Sequence, residues 1–374
     1  MEALLCDILN IDTQNPPGNE RVLAEWIAAY LADVGCRASV QPVSEGRANV
    51  FARIKGRVRD GALLLNGHLD TVPHGGGWAT APGIAARNGN ILFARGASDM
   101  KSGLAAALYA FRDYARSGET PRTDILFCGT ADEESGGLGA KALMASGEMD
   151  GVSAVVIGEP TGNRLGVAAK GAIWLRAVVK GRVSHGAYPE RGANAIEGAM
   201  RFAEAVRELL TGSHPLLTPP TAAVTGLSGG IKHNMVPDRA ELIMDVRTTP
   251  GMSGRALIQA FENAARALSV DGIEIALEVL NDRMAVTVSE NAPIIAQLSA
   301  ACREALGSEP EHTGTAFFSD ASIFLKHQQM DAVLFGPGES GLAHTPNESV
   351  SLAAYLGSVR AYRALIDRWA KNGG

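Results

Sequence analysis

The feature that most constrains this chain is a recurring pattern in which a short apolar run breaks off and then presents a histidine or a carboxylate. Residues 63–66 lead into Gly67-His68-Leu69-Asp70, and residues 91–95 into Gly96-Ala97-Ser98-Asp99. Residues 125–130 lead into Ala131-Asp132-Glu133-Glu134, and residues 155–157 into Gly158-Glu159-Pro160. Residues 333–335 lead, through a glycine loop, to His344. Short apolar runs bounded by turn residues read as buried strands. Residues 4–11, 20–34 and 103–114 carry apolar positions at helical spacing, and Gly35 stops the second of these helices. Strands alternating with helices predict a mainly parallel α/β sheet. In open sheets of that kind ligands bind beyond the carboxyl ends of the strands. Five strand ends therefore offer two histidines and several carboxylates to one sheet edge.

The middle of the chain has another rhythm. Residues 173–179 alternate like a strand, 193–210 form a long amphipathic helix, and 222–226 and 240–246 are strands. Residues 253–268 are helical and 273–280 form a last strand, giving the β-α-β-β-α-β order of a ferredoxin-like unit. From residue 292 the α/β pattern resumes with helices to 306 and at 321–326, a strand at 332–335 and a final helix from 352. The expected organisation is an α/β catalytic domain of residues 1–171 and 283–374, with residues 172–282 inserted as a smaller domain. A chain of 374 residues is long enough for two cores.

Composition narrows the function. A net charge of −6 with no Lys/Arg block disfavours nucleic acid, whose binding rests on clustered cations; the longest basic stretch, residues 53–59, reads as a turn surface. No apolar run approaches the roughly 20 residues of a membrane helix. Cys6, Cys36, Cys128 and Cys302 are scattered without a CxxC pair, which argues against a disulfide framework or a cysteine metal site and suits a reducing, cytoplasmic setting. The opening MEALLCDILNI lacks a basic region and a cleavage site, so it reads as an amphipathic helix rather than a signal peptide.

Imidazole with carboxylate is the ligand set of zinc, or of manganese or cobalt where oxygen dominates. His68 and Asp70 are two apart on an extended segment and share a face, so Asp70 is placed to accept the second imidazole N–H and fix its tautomer. Glu133 and Glu134 are adjacent and cannot point the same way: one can hold a metal while the other holds a water as general base. Asp99, with two oxygens, can bridge two ions about 3.5–4 Å apart. Each residue alone has an ordinary reading, since a strand-end histidine is more often a surface group and an acidic run a solvated one. The conjunction carries the argument.

In this order GHLDTVP, GASDMKSG, ADEESGG, GEPTG and AHTPNE resemble the M20 metallopeptidase family, in the branch of acetylornithine deacetylase and succinyl-diaminopimelate desuccinylase, over essentially the whole chain. The resemblance implies a zinc-exopeptidase-like catalytic domain carrying two divalent metal ions, zinc first, with cobalt or manganese as alternatives. His68, Asp99 and Glu159 would hold one ion, and Asp99, Glu134 and His344 the other. Asp70 would orient His68, Glu133 would be the base, and the peptide after Asp99 would be cis. The stretch Val183-Ser184-His185-Gly186-Ala187 resembles the segment whose histidine enters a partner subunit's site. His185 would then stabilise an oxyanion in trans in a homodimer formed through the inserted domain, which would also act as a lid. Asn234, in His233-Asn234-Met235-Val236-Pro237, and Arg247, in Asp245-Val246-Arg247, resemble the family's binders of a substrate carboxylate, a task that suits the planar guanidinium. The implied reaction is attack by metal-bound hydroxide on the amide of a small N-acyl amino acid, with a dipeptidase or carboxypeptidase as the alternative. Two departures stand out. Ala168-Ala169-Lys170-Gly171-Ala172 has one lysine where desuccinylases carry extra basic residues, which puts a second acidic group on the substrate in doubt. Gly314-Thr315-Ala316-Phe317-Phe318-Ser319-Asp320 carries an aromatic pair expected to widen or line the acyl pocket.

Two other functional classes fit parts of the sequence less well. Gly137-Leu138-Gly139-Ala140-Lys141-Ala142, with Glu159 about 20 residues on, fits the nominal dinucleotide fingerprint of an NAD-dependent oxidoreductase. However, the polar stretch 132–135 separates it from its strand, and it leaves His68, Asp70, Asp99 and His344 unexplained. A binding protein without catalysis predicts loss of the base or of ligands, and all those positions are filled.

Overall fold

The computed structural model describes residues 1–327 and 330–373. Its elements are α1 (Glu2–Leu9), α2 (Glu20–Ala32), β1 (Ala38–Ser44), β2 (Arg47–Ile54), β3 (Val58–His68), β4 (Ala86–Asn88), β5 (Ile91–Phe93), α3 (Lys101–Ser117), β6 (Thr123–Thr130), α4 (Leu138–Ala145), β7 (Val152–Ile157) and β8 (Leu165–Ala169). There follow β9 (Gly171–Lys180), β10 (Ser184–His185), α5 (Ala195–Glu208), β11 (Thr221–Gly229), β12 (Met235–Val236), β13 (Arg239–Thr248), α6 (Gly254–Leu268) and β14 (Glu274–Arg283). The chain ends with β15 (Val286–Thr287), α7 (Pro293–Leu306), β16 (His312–Thr315), α8 (Ala321–His327), β17 (Asp331–Leu334), β18 (Ser349–Ser351) and α9 (Leu352–Asn372). Two units separate: Met1–Val167 with Val288–Thr313 and Ser319–Gly374, and Ala168–Thr287 with Gly314–Phe318.

In the first unit the sheet order is β1-β2-β6-β3-β7-β17. β6, β3, β7 and β17 run parallel, while β1 and β2 form an antiparallel margin. Helices cover the parallel strands, which explains why β6 is buried along its whole length and reads as an apolar run rather than an alternation. Leu65 and Phe127 pack in one core with Leu108 and Phe111 of α3 and Tyr362 and Leu365 of α9. The parallel register sets His68 against Thr130 and Asn66 against Ile157, so the strands finish at one level.

α3 is tied to that edge by a close approach. A Cβ on Gly103 would lie 1.8 Å from the carbonyl oxygen of Gly158, so only glycine lets the first turn of α3 rest on the backbone beside Glu159. The helix ends at Gly118, whose φ of 72° is a left-handed cap that other residues resist. A small three-stranded sheet, β18-β5-β4, stands beside the main one; strands of three residues leave no periodicity in a sequence.

The second unit is an antiparallel sheet of order β11-β13-β9-β14, covered by α5 and α6. Leu175, Leu242 and Met244 of the sheet meet Phe202 and Phe261 of the helices in its core. β9 and β13 alternate buried and half-buried residues because only one face is covered. Asn194 caps α5 by accepting from the Ile196 and Glu197 amides, and Ser253 caps α6 by accepting from the Ala256 amide. The unit is wider than residues 172–282 and takes in the stretch Gly314–Phe318. The Lys170 amide donates to the Thr315 carbonyl (3.0 Å), and the Phe318 ring lies edge-on to Trp174 at 6.0 Å. Among the described residues no helix is long and apolar enough to cross a membrane.

Replacing Gly103 by alanine is expected to destabilise the first unit by about 1–3 kcal/mol, the usual cost of forcing atoms into a packed contact. Urea unfolding checks this, and an unchanged midpoint would show that the contact with Gly158 has room to give.

Candidate metal centre

The strand ends bring His68, Asp99 and Glu134 together, with one ligand atom of each lying within 4.8 Å of the others. His68 closes β3, Glu133 and Glu134 follow β6, and Glu159 follows β7. Asp99 precedes α3, and the Asp99–Met100 peptide is cis. His344 lies in the loop before β18 with φ of 62°. His68 Nε2 is 3.1 Å from Asp99 Oδ1, and His344 Nε2 is 3.4 Å from Asp99 Oδ2, so the two oxygens of one carboxylate face two imidazoles. His344 Nε2 also lies 3.0 Å from Glu134 Oε2.

Asp70 serves His68 by a different atom from the one expected. His68 Nδ1 meets the main-chain carbonyl of Asp70 at 2.9 Å, while Oδ1 of the side chain stands 3.6 Å away. The carboxylate is engaged elsewhere: Oδ1 accepts from the Glu133 amide at 3.1 Å, and Oδ2 from the Glu134 amide at 3.2 Å and from Asn15 Nδ2 at 3.0 Å. One residue thus fixes both the imidazole and the loop that carries the two glutamates.

The electrostatics are those of several carboxylates buried beside two imidazoles. Burial, joined by repulsion from Glu159, Asp320 and Glu134, lifts Glu133 well above the usual carboxylate range. Burial, joined by repulsion from Asp99, Glu134 and Asp320, does the same to Glu159. Burial and the neighbouring Asp99 also raise Glu134. Burial opposes the ionised form of Asp99, yet hydrogen bonds from His344 and His68 hold it below its ordinary value. The same contacts, with Asp99 first and Glu134 second, raise His344 to about 10. His68 rises well above 6.5 despite its burial, held by Asp99, Asp70 and Glu159. The carboxylates therefore draw protons onto two nitrogens that are good ligands when neutral. A divalent cation fits this donor set and would replace those protons.

The site has supports that motif reading passes over. Arg47 pairs with Asp132 and lies 3.3 Å from Glu20, and its second nitrogen donates to Asn15 Oδ1 at 2.6 Å. Asn15, beside the cis bonds of Pro16 and Pro17, also donates to Asp132 Oδ1 at 3.0 Å. Glu348 is wholly buried under the turn that carries Asp99. Lys101 is buried too; its ammonium donates to the Ile11 carbonyl at 2.6 Å, and burial lowers its pKa to about 8. The proline pair after Asn15 and the glutamate that ends AHTPNE are the visible signals; Arg47 carries none.

His185, Asn234 and Arg247 lie in the second unit. His185 is exposed on β10, paired with Met235 of β12, and its Nδ1 accepts from the Ala187 amide at 3.0 Å. Asn234 is exposed, and its carbonyl accepts from the Gly186 amide at 2.8 Å, which joins the two segments. Arg247 is half-buried; its Nε and one terminal nitrogen grip Asp245 at 2.7 and 2.9 Å, and the guanidinium lies over Phe318 at 5.6 Å. The glycine pattern at residues 137–142 serves packing. The Gly139 amide donates to Ala131 at 2.9 Å, and a Cβ on Gly139 would sit 2.4 Å from the Ala131 nitrogen. That amide faces its own strand end, where a dinucleotide phosphate has no access to it.

The profile described as Peptidase family M20/M25/M40 matches residues 64–368. A probable succinyl-diaminopimelate desuccinylase of Staphylococcus aureus is 26% identical over 98% of this chain and 97% of its own length. The acetylornithine deacetylase of Myxococcus xanthus is 30% identical over 94% of this chain and 92% of its own. Among solved structures, the M20 family metallo-carboxypeptidase Sso-CP2 of Sulfolobus solfataricus superposes with a TM-score of 0.84 at 18% identity, over 99% of each chain. The α/β architecture with its mainly parallel sheet is shared with that structure, and by the extent of the family match this chain belongs to peptidase family M20/M25/M40, a hydrolase of C–N bonds.

Proposed function

We propose that this chain is a two-metal amidohydrolase that removes the acyl group from a small N-acyl amino acid. The observation that carries the reading is Asp99, whose two oxygens face His68 and His344 at 3.1 and 3.4 Å, the arrangement of a carboxylate shared between two ions. His68 and Glu159 would complete one site with it, and Glu134 and His344 the other. Two divalent ions held there, zinc first and cobalt or manganese in its place, would polarise the amide carbonyl and make water a nucleophile near neutral pH. Glu133 takes the proton of the attacking water and returns it to the departing nitrogen. Asp70, by holding the Glu133 amide, aims that carboxylate. Arg247 and Asn234 are assigned to the substrate's free carboxylate. Asp245 fixes the guanidinium from one edge and leaves the edge bearing Nη1 for the ligand. The lone lysine near the insertion, Lys170, donates to the Pro219 carbonyl at 2.6 Å, which favours an uncharged acyl group over succinyl.

We also infer a cytoplasmic homodimer through the second unit, with His185 of one copy stabilising the oxyanion in the other. The four cysteines are free thiols, as a reducing compartment keeps them. β11 is an edge strand, and Val224 and Leu227 on it are 39% and 46% exposed beside Met200 of α5 at 58%, an apolar patch that a second copy would cover.

Chelation should abolish release of free amine from N-acetyl, N-formyl or N-succinyl amino acids or dipeptides, and zinc, cobalt or manganese should restore it. The panel also tells deacylase from dipeptidase or carboxypeptidase. Glu133→Ala should lower kcat by about 10²–10⁴-fold while both metals stay bound; a variant that keeps its rate would remove Glu133 from the chemistry. In light scattering after gel filtration the protein should run as a dimer, and Val224→Asp/Leu227→Asp as a monomer that retains metal but not activity. A fully active monomeric parent would sink the trans role of His185.

A further inference from the structure

The reaction proposed above uses no part of Glu348, yet this residue has 0% exposure and its carboxylate collects four donors. Oε1 accepts from the amides of Ser98 and Asp99, each at 2.8 Å. Oε2 accepts from the Gly96 amide at 3.1 Å and from Arg95 Nη1 at 2.7 Å. Three of the four come from the turn that ends in Asp99, and the fourth from the residue that opens it. A glutamine of the same size would fill the volume at a smaller desolvation cost, but no neutral side chain can accept from all four.

Glu348 follows His344 by four residues, so this carboxylate also joins the two loops that carry opposite partners of the proposed metal pair. The joint is reinforced on both sides. The Ala94 amide donates to the Glu348 carbonyl at 3.1 Å, and β18 pairs with β5 in the register Ser349 to Phe93. Arg95 reaches the Thr345 carbonyl at 3.2 Å and the His74 carbonyl at 3.0 Å. Ser98 Oγ donates to the Glu339 carbonyl at 2.9 Å and accepts from the Glu339 amide at 2.7 Å.

We propose that Glu348 is a positioning residue for Asp99: its carboxylate is the template on which the Arg95–Asp99 turn is built, and it sets the rotation that points one Asp99 oxygen to His68 and the other to His344. The inference rests on the two-metal reading and deepens it. Ligand-supporting groups of this kind commonly change metal affinity by about 10–100-fold.

The test is Glu348→Gln, whose amide can keep one oxygen on Ser98 and Asp99 but turns its NH2 toward the Gly96 amide and Arg95, donor against donor. In metal-free protein, deuterium exchange at the amides of Gly96, Ser98 and Asp99 should speed up at least about tenfold, as expected when a buried amide loses its acceptor. Titrated with cobalt, the variant should bind about 10–100-fold more weakly. It should show an altered visible spectrum and a lower kcat with KM little changed, because no substrate contact is touched. Arg95→Lys, which keeps the charge but not the fork, should move the same readouts less and serves if the first variant does not fold. Unchanged exchange, cobalt affinity and spectrum would overturn the inference even if the melting temperature fell. Failure of the unsubstituted protein to bind two cobalt ions would instead overturn the two-metal reading, while the metal-free exchange would still judge what Glu348 holds.

Discussion

The register of β3 between its two parallel neighbours is the constraint on which the rest depends. A strand paired on both sides cannot slip by one residue without turning every side chain to the other face. Here the ladder runs past the last formal pairs: the Leu69 amide donates to Thr130 at 2.8 Å and the Gly158 amide to Asn66 at 3.0 Å. The loops after β3, β6 and β7 therefore leave the sheet at one level, and His68, Glu134 and Glu159 start from a common edge. Gly103 then lets α3 descend onto Gly158, which carries Asp99 to the same edge from another direction. The gathering of donors follows from backbone pairing and one missing side chain.

Gathering so many carboxylates under a protein surface is unfavourable, since burial and mutual repulsion both oppose the ionised forms. The structure treats the carboxylates unequally. Asp70, Asp132 and Glu348 are met by amides and by Asn15, Arg47 or Arg95, and they act as structural joints. Asp99 is met by two imidazoles. Glu133 and Glu159 lie well above the usual carboxylate range, chiefly through burial and further through repulsion from their neighbours. Carboxylates whose proton affinity is so strongly displaced cluster at functional sites, which separates these two from the acidic joints.

What the sequence made legible follows the same division. Strand ends announce themselves because an apolar run must stop before a polar ligand can be offered, so His68, Asp99, Glu134, Glu159 and His344 stand out locally. The supports do not. Arg47 and Asp132 are 85 positions apart, and Glu348 and Ser98 are 250 apart, and nothing near either end marks the pairing. Asp70 shows an intermediate case. Its spacing from His68 identifies the residue, but spacing is blind to the choice between a side-chain and a main-chain oxygen, which the amides of Glu133 and Glu134 decide. The second unit was legible for the opposite reason: its sheet has one covered face, so alternation along β9 and β13 survives in the sequence.

The aromatic pair before Ser319 reads in the sequence as lining for an acyl pocket, and the structure gives Phe318 another use. Its ring carries the guanidinium of Arg247 at 5.6 Å and that of Arg283 at 5.2 Å, with Trp174 against its edge. Cation–π contacts of this kind contribute about 0.5–2 kcal/mol, most when water is excluded, and Arg283 is only 1% exposed. Asp245 grips Arg247 through two hydrogen bonds and the Phe318 ring lies beneath its guanidinium, so the side chain is held from two sides. An arginine already held in this way has less rotamer freedom left to lose than one free in solvent, so the fork is fixed by its neighbours before any partner meets it.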